Sequence, residues 1–135
     1  MSNEIARQFF RNYLLIREQG FQAFTCEQSK LFSPQLVTLV SDPRGAFRYE
    51  GIDGFFEGMV AWSKHFLVNG RSRHEYVDET STHVLVRMHG DLGLSEPING
   101  ETLSKEGDHD WTQEFELSED LITKVDIKLS FKPLA

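Results

Sequence analysis

The chain contains a single cysteine, Cys26, in 135 residues. An internal disulfide and a cysteine-based zinc site are therefore excluded, and Cys26 reads as a small, partly buried side chain. Positive charge is also scarce: 14 Lys and Arg stand against 21 Asp and Glu, a formal net charge of −7. Phosphate binding needs concentrated cations. No basic run interleaved with aromatics occurs, so neither nucleic acid nor an anionic membrane is an expected partner. No apolar run approaches the roughly 20 residues of a bilayer span. The opening MSNEIARQ is polar and passes straight into a helical pattern, so no signal peptide is expected and the cytoplasm is the expected compartment. A Ser-centred nucleophile motif, a His-x-x-x-His helix and a glycine-rich phosphate loop are all missing. His83 and His89 share a strand face, but six residues at about 3.3 Å each hold them roughly 20 Å apart. No metal and no other cofactor is expected.

What the chain does have is a core. Hydrophobic residues make up 39% and eleven are Phe. Residues 1–135 are long enough for one domain that buries roughly two-thirds of its unfolded surface. The organising stretch runs over residues 42–66, DPRGAFRYEGIDGFFEGMVAWSKHF. It reads as a turn at Asp42-Pro43, a strand over Gly45–Glu50, and an amphipathic helix. Phe55, Met59, Trp62 and Phe66 recur at helical spacing in that helix. Asp53 suits an N-cap or first-turn position, and Asn69-Gly70 reads as the stop.

Before this stretch, Ile5, Phe9, Tyr13 and Ile16 predict a helix over 3–19, capped by Ser2 or Asn3 and ended by Gly20. A second helix is expected over 21–32, and Ser33-Pro34 opens a turn or short helix through Leu39. After Gly70 the period becomes two. Residues 73–79 and 82–92 read as antiparallel strands joined at Thr80-Ser81, with Val84, Val86 and Met88 on one face. A loop is expected over 93–107. Trp111, Gln113, Phe115 and Leu117 then share a face, as do Leu121, Thr123, Val125, Ile127, Leu129 and Phe131. A three-residue turn at 118–120 sets Glu114 opposite Lys124 and Asp110 opposite Lys128; a five-residue turn keeps the same faces. The order of elements gives an α+β fold, three helices in the N-terminal half packed on a strongly curved, mostly antiparallel mixed sheet. Such a sheet wraps into a cone around a cavity.

This order resembles the nuclear transport factor 2-like superfamily, and within it the ketosteroid isomerase and polyketide cyclase (SnoaL-like) branch. The likeness rests on Asp42-Pro43 followed nine residues after the Asp by Gly51, and on Tyr13 seven residues before Gly20. It implies acid–base isomerase or cyclase chemistry on a small hydrophobic carbonyl compound, without a cofactor. By position Asp42 matches the base and Tyr13 a phenolic donor to the developing enolate. Gln113 stands where the isomerases carry a protonated Asp, and its amide can still donate a hydrogen bond. The resemblance also implies a homodimer through the sheet face.

The residues carry their own readings beside this one. Asp42 is either a desolvated base at the rim of a cavity or the initiator of the Asp-Pro-Arg-Gly turn. Tyr13 is either a donor aimed at a ligand or a core phenol bonded to a carbonyl. Gln113, the polar member of an apolar row, needs a partner: ligand, water or side chain. Trp62, Phe66, Met59, Met88, Trp111 and Phe115 are either the walls of a ligand site or plain core. Three functions remain open: an isomerase or cyclase, a non-catalytic binding domain using the same cavity, and a protein-interaction module.

Overall fold

The computed structural model describes residues 3–42, 44–94 and 108–129. Helix α1 (Glu4–Arg11) starts at the N-cap Asn3, whose side chain accepts from the Ala6 N–H at 3.0 Å. The expected continuous helix to residue 19 is broken at Asn12-Tyr13, and α2 (Leu14–Gln19) follows as a separate piece. The cause is a buried amide. Gln28 donates to the Phe9 carbonyl at 3.1 Å and accepts from the Asn12 side chain at 2.8 Å. With that carbonyl engaged, the Tyr13 N–H turns back to Phe10 O at 3.2 Å, a tighter i, i−3 bond. Gly20, at φ 97°, ends α2 as expected.

Helix α3 (Phe21–Ser29) stops three residues short of its expected end. Strand β1 (Phe32–Asp42) replaces the expected turn or helix at Ser33-Pro34. Leu36, Thr38, Val40 and Asp42 alternate inward there, a period of two. Pro34 is tolerated because it falls in the register break between Phe32 and Val37, where no ladder N–H is needed. Strand β2 (Gly45–Glu50) matches its expected bounds.

Helix α4 (Gly51–Ser63) carries Asp53 in its first turn, although its N-cap Glu50 makes no side-chain cap bond. Gly54 and Gly58 let it lie directly on β2: a Cβ at Gly58 would stand 2.8 Å from the Tyr49 ring. The helix ends in a turn at Lys64-His65, so Asn69-Gly70 is not its stop. Both residues belong to β3 (Phe66–Glu79), and Phe66 opens that strand rather than extending the helical stripe.

Strands β4 (His83–Leu94), β5 (Asp108–Ser118) and β6 (Leu121–Leu129) complete a six-stranded sheet in the order β2-β1-β6-β5-β4-β3. The β1–β6 pair is parallel and every other pair is antiparallel. Of the expected loop over 93–107, residues 93 and 94 belong to β4 and the remainder lies outside the described residues. The expected register of the last hairpin is corrected. Glu119 and Asp120, at φ 52° and 62°, form a two-residue turn. A bulge at Thr123 then shifts the ladder, so that Glu116 opposes Lys124, Thr112 opposes Lys128 and Glu114 opposes Asp126. That extra residue is also why Ile122 is buried alongside Val125 and Leu129, against strict alternation.

The centre of the core is aromatic. Phe9 meets Phe10, Tyr13, Phe55 and Phe115 with ring centroids 4.9 to 5.7 Å apart, edge to face. These rings fill the narrow end of the cone. Away from them, α4 and the inward face of the sheet stand apart and leave a space between them.

Candidate functional site

Between that inward face, α4 and the α1–α2 junction lies a cavity of about 410 Å³. This falls within the roughly 300–1,000 Å³ of small-molecule sites. Phe10, Tyr13 and Ile16 contribute from the broken helix, Met59 and Trp62 from α4, and Thr38 and Val40 from β1. Ser72, His74, Met88, Trp111, Gln113 and Ile127 line the sheet side. No carboxylate, ammonium or guanidinium group is among the lining residues.

The wall is apolar with a few polar atoms set into it. Thr38 Oγ1, Trp62 Nε1 and Gln113 Oε1 are buried and find no hydrogen-bond partner among the described residues. Each such atom costs about 1–3 kcal/mol when left unpaired. Gln113 is held there by register, between Val86 of β4 and Ile127 of β6. Thr38 is inward because it shares the face of Leu36 and Val40. Trp62 lies on the α4 stripe, stacked at 4.8 Å on Phe66.

Tyr13 packs against Phe9 and Phe24, at 5.6 and 5.0 Å. Burial pushes its pKa up, so the phenol stays neutral and available as a donor. His74 sits on β3 opposite Met88. Its ring lies 4.4 Å from Phe10, and its Nε2 is 3.0 Å from Ser72 Oγ. Desolvation lowers its pKa, which favours the neutral imidazole.

Asp42 is placed differently. It points to the same side of β1 as Thr38 and Val40 but does not line the cavity. Its buried carboxylate accepts four hydrogen bonds from Arg44: the backbone N–H at 2.8 Å, Nε at 3.0 and 3.1 Å, and Nη2 at 2.6 Å. The guanidinium is in turn covered by Phe47 and Phe66, at 4.7 and 5.6 Å. This is the turn-initiating arrangement, strengthened by an ion pair.

Of the residues singled out in the sequence, Tyr13, Gln113, Trp62, Met59, Met88 and Trp111 come together around one cavity. Phe66 backs Trp62 from behind, and Phe115 lies beneath Phe9 in the core. Thr38, Ser72 and His74 were not anticipated. A signal for His74 exists: its partner Met88 belongs to the apolar face of β4, and directly opposed residues share a face.

Among the described residues no three His, Cys, Asp or Glu side chains form a metal-binding group, and no helix is long and apolar enough to cross a membrane. No family model and no curated protein sequence matches the chain. Solved structures do. A nuclear transport factor 2-like protein from Burkholderia xenovorans superposes with a TM-score of 0.66 at 12% identity, over 94% of this chain and 90% of its own. A provisionally assigned isomerase from Rhodopseudomonas palustris gives 0.65 at 12%, over 96% and 91%. The chain thus has the nuclear transport factor 2-like fold, an α+β cone. Its neighbours in that fold include a provisionally assigned SnoaL-like polyketide cyclase from Mesorhizobium loti, with a TM-score of 0.57 at 14% identity over 92% and 95% of the two chains.

Proposed function

We propose that the chain binds a small, uncharged, mainly apolar molecule carrying a carbonyl or hydroxyl group in this cavity. The observation that carries the reading is the make-up of the lining: mostly apolar side chains, no fixed charge, and Thr38, Trp62 and Gln113 among its few polar members. A tryptophan N–H can only donate and an amide oxygen can only accept. A ligand with one acceptor and one donor can pair with both residues once their polar atoms turn toward it. With no fixed charge in the lining, a charged ligand would lose its hydration without compensation.

The resemblance assigns Asp42 the role of base. In the reading proposed here Asp42 is structural, because a carboxylate already bonded four times by Arg44 would have to shed that cation before accepting a proton. Catalysis is therefore no part of the binding proposal.

Quenching of Trp62 and Trp111 fluorescence by a panel of uncharged hydroxyketones tests it. Saturable quenching is expected, and Gln113→Leu should weaken the best ligand by up to about tenfold, the value of one hydrogen bond. No saturable quenching by any neutral polycyclic or aromatic member of the panel refutes the reading.

A further inference from the structure

The lining of the cavity divides by exposure. Val40, Phe55, Met88 and Trp111 are buried and make its floor, whereas Ile16, Ser63 and His74 are exposed and mark its mouth. Ile16 is the contribution of α2. We infer that α2 is a lid, rocking about pivots at Asn12-Tyr13 and Gly20, that opens to admit a ligand and closes Ile16 over it. The inference rests on the binding reading above and adds the gate to it.

The helices on either side of α2 are anchored, and α2 is not. In α1, Phe9 is fully buried, and Arg7 pairs with Glu79 and lies over the Tyr76 ring at 3.9 Å, which fastens the helix to β3. In α3, Phe24 and Gln28 are fully buried. Helix α2 buries none of its six residues. Among the described residues, no side chain of Leu14–Gln19 takes part in a hydrogen bond, ion pair or ring contact. A segment held this way opens at low free energy while the rest of the fold stays closed.

Each end of α2 is suited to turning. At the first, Gln28 holds the Phe9 carbonyl, so the helical ladder is interrupted, and the Tyr13 and Leu15 N–H groups make i, i−3 bonds at 3.2 and 3.0 Å. No side chain caps the new start. At the second, Gly20 sits at φ 97° and ψ 167°, a backbone conformation that residues with a Cβ rarely adopt. A Cβ there would meet nothing within 4 Å, so conformation and not crowding calls for glycine.

The lid also has a reason to close. Ile16 lines the cavity and is 37% exposed. An apolar ligand beneath it takes that surface out of water only when α2 is closed, and a ligand shifts a population by such a difference in affinity between two states.

Backbone amide exchange followed by NMR tests this, with the uncharged fluorescent ketone 6-propionyl-2-dimethylaminonaphthalene as the probe ligand. In the free protein, the amides of residues 17–20 should exchange about 10²-fold or more faster than those of residues 24–28 in α3. Saturating probe should slow exchange at 17–20 by about tenfold or more. Amides that open locally do not respond to overall stabilisation, so slowing there means that the ligand holds α2 down. Ile16→Ala should release the probe about tenfold faster, the worth of the apolar surface removed. Leu14→Ala, an exposed position of the same helix outside the lining, should leave release unchanged. The urea midpoint of each variant checks that it is folded. The probe can bind while residues 17–20 are as protected as α3 in the free protein, or are not slowed by it, or while Ile16→Ala leaves release unchanged. Any of these results overturns the lid and leaves the binding reading standing. If the probe does not bind, both fall.

Discussion

On the outer face of the sheet, His83 Nε2 lies 2.7 Å from a Glu114 carboxylate oxygen, with Asp78 3.4 Å from the other ring nitrogen. One residue back along β5, on the inner face, Gln113 Oε1 has nothing. The contrast extends across both faces. Outside, His89 pairs with Asp110, Arg87 with Glu75, Lys124 with Glu116 and Lys128 with Asp126. Inside, the lining carries no charge, and three polar atoms of its residues are buried without partners among the described residues. A sheet face that satisfies itself needs nothing more to be stable. A face that buries unmet donors and acceptors carries a cost of about 1–3 kcal/mol for each, and the binding proposed above would offset it.

The largest effect expected on the inner side is structural. Phe9→Ala removes the ring on which four aromatic contacts converge and should cost about 3–5 kcal/mol, read as a lowered urea midpoint. If it costs less than 1 kcal/mol, the narrow end of the cone is not packed as described. Next comes a change of opposite sign. Gln113→Leu removes an unmet acceptor while keeping volume, so the free protein should gain up to about 1–3 kcal/mol even as ligand binding weakens. Loss of stability in this variant would mean that the amide already has a partner, and the contrast between faces would fail there.

Much of this contrast could be read from the sequence, because alternation in β4 and β5 is strict. Val84, Val86 and Met88 face Phe115, Gln113 and Trp111 as the period of two requires. What could not be read depended on partners distant in sequence. Asn12 looks like an ordinary surface helix residue until Gln28, sixteen positions on, takes the Phe9 carbonyl and breaks the helix. Ser33-Pro34 signals a turn locally, and only pairing of β1 with β6 makes the segment a strand. The last hairpin slipped because a single bulged residue, Thr123, is invisible to a pattern of alternating polarity. Asp42 is the reverse case: Arg44 stands two residues away in plain view, but the four hydrogen bonds it makes to the carboxylate are visible only in the structure.

The two histidines should titrate in opposite directions, one from each face. Burial lowers the pKa of His74 in the folded state, so its contribution to stability is fully present above about 6.5 and is lost as pH falls toward the lowered value. The Glu114 hydrogen bond raises that of His83, so its contribution is present below about 6.5 and is lost as pH rises through the raised value. Histidine NMR titrations should place the two midpoints on either side of 6.5, and His74→Gln and His83→Gln should change the slope of stability against pH with opposite sign. Equal midpoints would mean that the two faces do not differ electrostatically.

The smallest effect is expected where the outer face looks richest. Arg87 and Glu75 pair at 3.4 Å with both side chains more than half exposed. Water screens such a pair, and ordering two long side chains offsets most of the Coulomb gain. Arg87→Gln should therefore shift stability by less than about 1 kcal/mol, and added salt should erase even that. A larger, salt-resistant loss would show that Arg87 is more deeply engaged than a solvated ion pair, as it would be if a second copy of the chain covered this face. Dilution through the dissociation range then separates the possibilities, because a contact between copies loses its stabilising effect with concentration and an intramolecular pair does not.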